Sequence, residues 1–185
     1  MGRYFIGIPL PAEVKKKLKV QSWPGLSRYK EEKLVPQNNW HITLAFIGNL
    51  NEEDLGALKT LLSVFDWGEG FKVGIRNFGA FPSLELGRVI WMGCEKGSDS
   101  VTELAEKLRR QLDGLEISYD SKPFVPHVTV ARMRSPKNLS RLLDNGKMKQ
   151  EVVFPVEEIL LYDSEKDKHP YAVVERIPLK KPSKR

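Results

Sequence analysis

The chain is poor in cysteine and histidine, with one of the first and three of the second, and it has no long apolar run. Cys94 alone can form no intrachain disulfide and supports no cysteine-based zinc site. It falls in the apolar run RVIWMGC and reads as a small core residue, which fits a reducing cytoplasm. Nothing approaches the ~18 consecutive apolar residues needed to cross a bilayer, so no membrane association is expected. The opening MGRYFIGIPLP has an apolar patch of only about five residues before two prolines and reads as a strand rather than a secretory signal. Ile6 stands where a myristoylation signal needs Ser or Thr. A Gly-x-x-x-x-Gly-Lys loop and a Gly-x-Ser-x-Gly elbow are both missing, which argues against P-loop nucleotide hydrolysis and a serine hydrolase.

What is present is a globular composition, 41% hydrophobic and 29% charged over 185 residues. The net charge of +6 is concentrated at the end: the tail KKPSKR holds four basic residues and no acid, leaving +2 for the rest. The basicity therefore favours an anionic partner only weakly. The expected organisation is one bilobal domain over residues 1–179 and a mobile basic tail over 180–185.

Hydrophobic periodicity predicts an alternation of strands and helices. RYFIGIPL, WHITLAFIG, FKVGIRNFGAF, GRVIWMGC and HVTVARMR read as strands. EVVFPVEEILLYDS and YAVVERIPLK read as two closing strands. PAEVKKKLKVQ is a short helix. NEEDLGALKTLLSVF is an amphipathic helix with Asn51 as N-cap and acidic residues in its first turn. SDSVTELAEKLRRQLDGL is a third, capped by Ser98 or Asp99 and stopped at Gly114. SPKNLSRLLDNGK is a fourth, with Pro136 in its first turn and Gly146 beyond its end. This order is α+β rather than a strictly alternating parallel sheet.

A coarser regularity cuts across those elements. HITLAFIG starts at His41 and HVTVARMR at His127, and each follows a proline-containing loop, VPQNNW and KPFVP. Residues i and i+2 share one face of a strand. His41 and Thr43 therefore point one way with Ile42 and Leu44 behind them, and His127 and Thr129 point one way with Val128 and Val130 behind them. Two copies suggest duplicated halves related by an approximate twofold. If both ribbons line one groove, it holds two imidazoles and two hydroxyls.

That set suits phosphate esters. Imidazole titrates near ~6.5, so one ring can take a proton from an attacking hydroxyl or water while the other gives one to the departing oxygen. Threonine hydroxyls can hold the non-bridging oxygens. Such chemistry calls for no metal and no cofactor, and no third ligand accompanies the two histidines. His169, in DKHPYAVV, lies in a polar turn and reads as a surface residue.

With these motifs the chain resembles the two-histidine (2H) phosphoesterases, and among them the RNA 2′,3′-cyclic phosphodiesterases, once named 2′-5′ RNA ligases. RYFIGIPLP, WHITLAFIGNL, FGAFPS with RVIWMG, FVPHVTVAR, EEILLYDSE and YAVVERIPL carry the resemblance over nearly the whole chain. It implies a bilobal pseudo-twofold α+β fold, with antiparallel sheets around a central cleft and flanking helices. It implies hydrolysis of a terminal 2′,3′-cyclic phosphate on RNA to a 2′-phosphomonoester, with His41 as acid toward the leaving oxygen and His127 as base toward water. The near symmetry of the motifs allows the reverse allocation. Thr43 and Thr129 would hold phosphate oxygens. Phe46 and Arg132, five residues after each His, would bracket the terminal base. On a flat strand, however, position i+5 faces away from the His, so a bulge, twist or strand end must turn them. Trp40, Phe81, Arg88 and Trp91 are further groove candidates that read more simply as structural. The expected partner is an RNA end or oligonucleotide with a cyclic phosphate, and the expected state is a monomer. The alternatives are 2′-5′ ligation, a different small cyclic or 2′-5′ substrate, and a module that binds RNA ends without turnover.

Overall fold

In the computed structural model, residues 2–21, 32–144, 148, 150–165 and 170–183 are described. The architecture spreads from one strand pair. Strands β3 (His41–Leu50) and β6 (His127–Lys137) run antiparallel and meet through Ile42 and Val128. Outward from β3 lie β1 (Gly2–Pro9), β8 (Glu158–Asp163) and β9 (Ala172–Pro178). Outward from β6 lie β5 (Gly87–Cys94), β4 (Phe71–Phe81) and β7 (Val152–Val156). The short β2 (Glu32–Leu34) pairs with the later part of β6. The fold is α+β and mostly antiparallel, as expected. The two expected half-sheets are joined into a single sheet at the β3–β6 contact.

Strand alternation decides what each face of this sheet does. Ile42, Leu44, Val128 and Val130 are buried in the main core with Ile6, Ile8, Ile90 and Met92. Helices cover that face: α1 (Ala12–Gln21) lies against β7, α2 (Glu52–Val64) against β9, and α3 (Ser98–Gly114) against β3 and β4. The helix that follows β1 thus packs on the outer strand of the other half, and the helix that follows β5 packs back onto β3. This exchange locks the halves together. Leu104, Leu108 and Leu112 on α3 are buried, and each such side chain contributes roughly 1.5–3 kcal/mol. The other face of the sheet is left to His41, Thr43, His127 and Thr129, all half-buried.

Local chemistry fixes the element ends. Asn51 caps α2, its Oδ1 accepting from the Asp54 N–H at 2.8 Å. The cap of α3 is Gly97, not Ser98 or Asp99. Gly97 has φ +73°, and a Cβ there would stand 2.2 Å from the Lys72 carbonyl oxygen, so a hydroxyl- or carboxylate-bearing residue has no room at that turn. The run from 151 to 164 is two strands rather than one. It breaks at Glu157, whose carbonyl accepts from Leu179 N–H at 2.8 Å, and sends β7 to one half and β8 to the other. Pro155 is tolerated because β7 pairs only with β4 and its other edge needs no donor. The fourth helix begins later than its pattern. Pro136 and Lys137 continue β6, and α4 is described over Ser140–Asp144, with Asn138 Oδ1 accepting from Ser140 N–H at 3.1 Å. Gly146 and His169 lie outside the described residues.

Cys94 is half-buried against the core, and burial pushes its thiol up to about 12, leaving it protonated at neutral pH. At the start of the basic tail, Lys180 Nζ donates to Asp66 at 2.6 Å and Ser183 Oγ to Glu69 at 2.5 Å. No helix among the described residues is long and apolar enough to cross a membrane.

Candidate active site

The Ile42–Val128 pair sets the geometry of the exposed face. Its antiparallel register puts Thr129 level with His41, and Thr43 level with His127. The two imidazoles therefore occupy diagonal positions, for which strand spacing gives Cα atoms roughly 7–8 Å apart. Two rings approaching from opposite corners can flank one small group, with a threonine beside each.

Both rings are anchored in the same way. His41 Nδ1 lies 2.6 Å from the Asn39 carbonyl oxygen, and His127 Nδ1 lies 2.6 Å from the Val125 carbonyl oxygen. A carbonyl only accepts, so Nδ1 carries the proton in each and Nε2 is left as the reactive nitrogen. His41 Nε2 is 3.0 Å from Thr43 Oγ1, which donates to it in that tautomer. These carbonyls, each two residues before its His, were not legible as site groups because every residue has one.

Phe46 and Arg132 reach the same face through matched bulges. Ile6 stands opposite Ala45 but Gly7 opposite Thr43, so Leu44 is the extra residue of β3. Ile90 stands opposite Ala131 but Trp91 opposite Thr129, so Val130 is the extra residue of β6. Each inserted residue reverses the alternation. Leu44 and Ala45 are consecutively buried, as are Val130 and Ala131, after which Phe46 and Arg132 turn outward. The signal in the sequence was the apolar pair in HITLAF and HVTVAR.

Aromatic walls surround each imidazole. Phe5 stacks on His41 with centroids 4.5 Å apart, Tyr162 is 5.7 Å away, and Tyr171 meets it edge-on at 5.9 Å. Phe81 meets His127 edge-on at 5.0 Å, and Trp91 is tilted at 5.9 Å. Phe81 and Trp91 are thus drawn to the site. Trp40 is not: it is buried and donates through Nε1 to Val35 O at 3.2 Å. Arg88 is exposed at an irregularity of β5. Phe5 and Tyr162 escaped the sequence reading because they reach His41 only through the β1–β3 and β1–β8 pairings, and Tyr171 because it is held there by its N–H donating to Asn39 Oδ1 at 3.2 Å. Gly7 is needed beside them. A Cβ there would lie 2.7 Å from the Ile42 carbonyl oxygen and 3.2 Å from His41 Cδ2.

These walls lower the proton affinity of both rings. Desolvation brings His41 down to about 4, aided by the positive charges of His127, Lys15 and Arg132 and opposed by the Asn39 carbonyl. Desolvation also lowers His127, with Arg132 adding to the effect and the Val125 carbonyl opposing it. Lys15 is a further neighbour missed in the sequence: half-buried on α1, it donates to Asn38 O at 2.9 Å beside the 3₁₀ turn that leads into His41. Lys15 and Arg132 bring positive charge to bear on His41, and Arg132 on His127, which makes the face receptive to an anion. Among the described residues no group of three or more His, Cys, Asp or Glu is placed to hold a metal ion.

Comparison with known proteins places this geometry. A family model described as the 2′-5′ RNA ligase superfamily matches residues 11–168. An Aeropyrum pernix protein named RNA 2′,3′-cyclic phosphodiesterase is 33% identical over 111 residues, covering 60% of this chain and 62% of that one. The match with that relative thus spans about three fifths of its length. A Thermus thermophilus protein of the same name is 32% identical over 189 residues, covering 96% of this chain and 90% of that one. The crystal structure of TT0787 of Thermus thermophilus superimposes with a TM-score of 0.79 at 27% identity, covering 98% of this chain and all of that one.

Proposed function

The chain belongs to the 2′-5′ RNA ligase superfamily, and from that premise we propose that it is an RNA 2′,3′-cyclic phosphodiesterase that opens a terminal cyclic phosphate to a 2′-phosphomonoester. The observation that carries this reading is the pair of imidazoles of identical tautomer at diagonal corners of one strand pair, on a face to which Lys15 and Arg132 lend positive charge.

The reaction follows from that placement. His127 Nε2 takes a proton from water as its oxygen bonds to phosphorus. The P–O3′ bond opposite breaks, and His41 Nε2–H gives its proton to O3′. The 2′-oxygen keeps the phosphoryl group. Thr43 and Thr129 donate hydrogen bonds to the non-bridging oxygens as their charge grows. Phe46 stacks on the terminal base, and the Arg132 guanidinium closes over it from the other half. In the free site both rings are neutral at pH 7. The diester brings the negative charge that favours protonation of one of them, so substrate binding itself arms the acid. Replacing water by the 5′-hydroxyl of another strand, in the same position, would make a 2′-5′ bond; this second reading rests on the name of the family.

A short RNA ending in a 2′,3′-cyclic phosphate, incubated with the protein in EDTA, tests the reading. The expected product is the 2′-phosphate. Binding without turnover would make the protein an RNA-end module, and a 3′-phosphate product would contradict the stated direction of opening.

A further inference from the structure

Beyond Arg132, strand β6 continues with Met133 buried and Arg134 exposed. Alternation after the Val130 bulge therefore puts Arg134 on the same face as His127, Thr129 and Arg132, about 6.7 Å of strand beyond Arg132. Past Arg132, β6 loses its register with β5, whose Val89 faces Arg132 while Gly87 faces Lys137. The irregularity falls at Arg134, which is exposed. Four other arginines are engaged: Arg3 lies over the Phe46 ring at 4.9 Å, Arg76 pairs with Glu95, Arg176 with Glu158, and Arg109 donates to the Lys122 and Asp120 carbonyls. Among the described residues neither Arg132 nor Arg134 has a hydrogen bond or ion pair. The two halves also differ around the site. On the β3 side the face is closed by Phe5, Tyr162 and Tyr171, and its nearby cation, Arg3, sits on Phe46. On the β6 side it runs out along the strand past the exposed Arg132 and Arg134.

Resting on the functional reading above, we infer that β6 is the path of the RNA strand: Arg134 binds a backbone phosphate upstream of the cyclic end, so the substrate is an oligonucleotide rather than a nucleoside 2′,3′-cyclic phosphate. A guanidinium holds a phosphate by paired N–H donors and reads no base, so the preference concerns length and not sequence.

The test compares kcat/KM for a tetranucleotide and for a mononucleotide, both ending in a 2′,3′-cyclic phosphate. The wild type is expected to favour the tetranucleotide at least tenfold at low salt. Arg134→Gln is expected to cut that ratio about tenfold and to reduce the salt slope of the tetranucleotide by about 0.7, one phosphate contact on a single strand. Arg110→Gln, an exposed arginine on α3, should keep the wild-type ratio. Equal use of both substrates, or an Arg134→Gln loss equal on both, overturns the inference. If neither substrate is turned over, the functional reading fails. Binding of a tetranucleotide ending in a 2′-phosphate then decides the path: an Arg134→Gln Kd about tenfold weaker supports it, and an unchanged Kd overturns it.

Discussion

The surroundings of His41 and His127 differ more than their motifs do. Both rings donate from Nδ1 to a carbonyl two residues earlier and both sit beside a threonine across a bulged strand. Yet His41 is stacked on Phe5, walled by two tyrosines and bonded to Thr43, and its proton affinity falls to about 4. Two rings, Phe81 and Trp91, flank His127, and Arg132 is the charge acting on it. Duplication thus supplies the placement, and the unlike walls supply a difference between two otherwise equivalent imidazoles. The lowered proton affinity of His41 runs against its proposed role as acid, so that role depends on the negative charge the bound diester brings.

The largest effect comes from removing either ring. His41→Ala and His127→Ala should each lower kcat by about 10²–10⁴ while leaving the fold intact by circular dichroism. A substrate diester whose leaving group is a nitrophenolate separates the two. Such a group departs without a proton, so His41→Ala should regain most of its rate while His127→Ala does not. The opposite pattern would reverse the assignment of acid and base.

Glycines sharpen the contrast next. Gly7 faces Thr43 across β1–β3, and Gly93 faces His127 across β5–β6. A Cβ at Gly7 would meet rigid backbone at 2.7 Å and the His41 ring, whereas at Gly93 the nearest atoms are 3.2 Å away on Trp91 and 3.3 Å away on the Arg76 carbonyl. Gly7→Ala should therefore displace His41 and cost on the order of 10² in kcat, and Gly93→Ala clearly less. Thr43→Val and Thr129→Val should each cost roughly tenfold, the worth of one charge-assisted hydrogen bond. If neither does, the threonines do not hold the phosphate.

The smallest effects lie in pH. Both rings are held below 6.5 in the free site, so kcat/KM should follow a bell with its optimum below pH 6.5. The bound anion raises the acid, so the optimum of kcat should lie higher. A profile flat from pH 5 to 9 would remove the paired roles. Stability should respond in the same window. With His41 near 4 folded and 6.5 unfolded, the unfolded chain binds the proton first. His41's contribution is whole above pH 6.5 and is lost as the pH falls toward 4, and His41→Gln should flatten that part of the urea-midpoint curve.

The sequence made the pairing of functions visible and hid their setting. A period of two was enough to put His41 with Thr43 and His127 with Thr129 on the face away from Ile42 and Val128. The same rule pointed Phe46 and Arg132 into the core. Only the extra residues Leu44 and Val130, whose one trace in the sequence is an apolar pair within a hydrophobic run, turn them outward. The stretch 151–164 read as one strand because β-branched residues continue through it, but hydrogen bonding at Glu157 divides it between the two halves of the sheet. Asn39, Val125 and Lys15 act through backbone carbonyls or through a helix folded back on a turn, and residue type alone reports neither.

The most direct measurement is an NMR titration of both imidazoles during addition of a nucleoside 2′-phosphate, the product proposed here. One equivalent should raise the pKa of His41 and of His127 together, because one phosphate lies between them. A rise confined to a single ring, or two rises that require two equivalents, would contradict a shared phosphate.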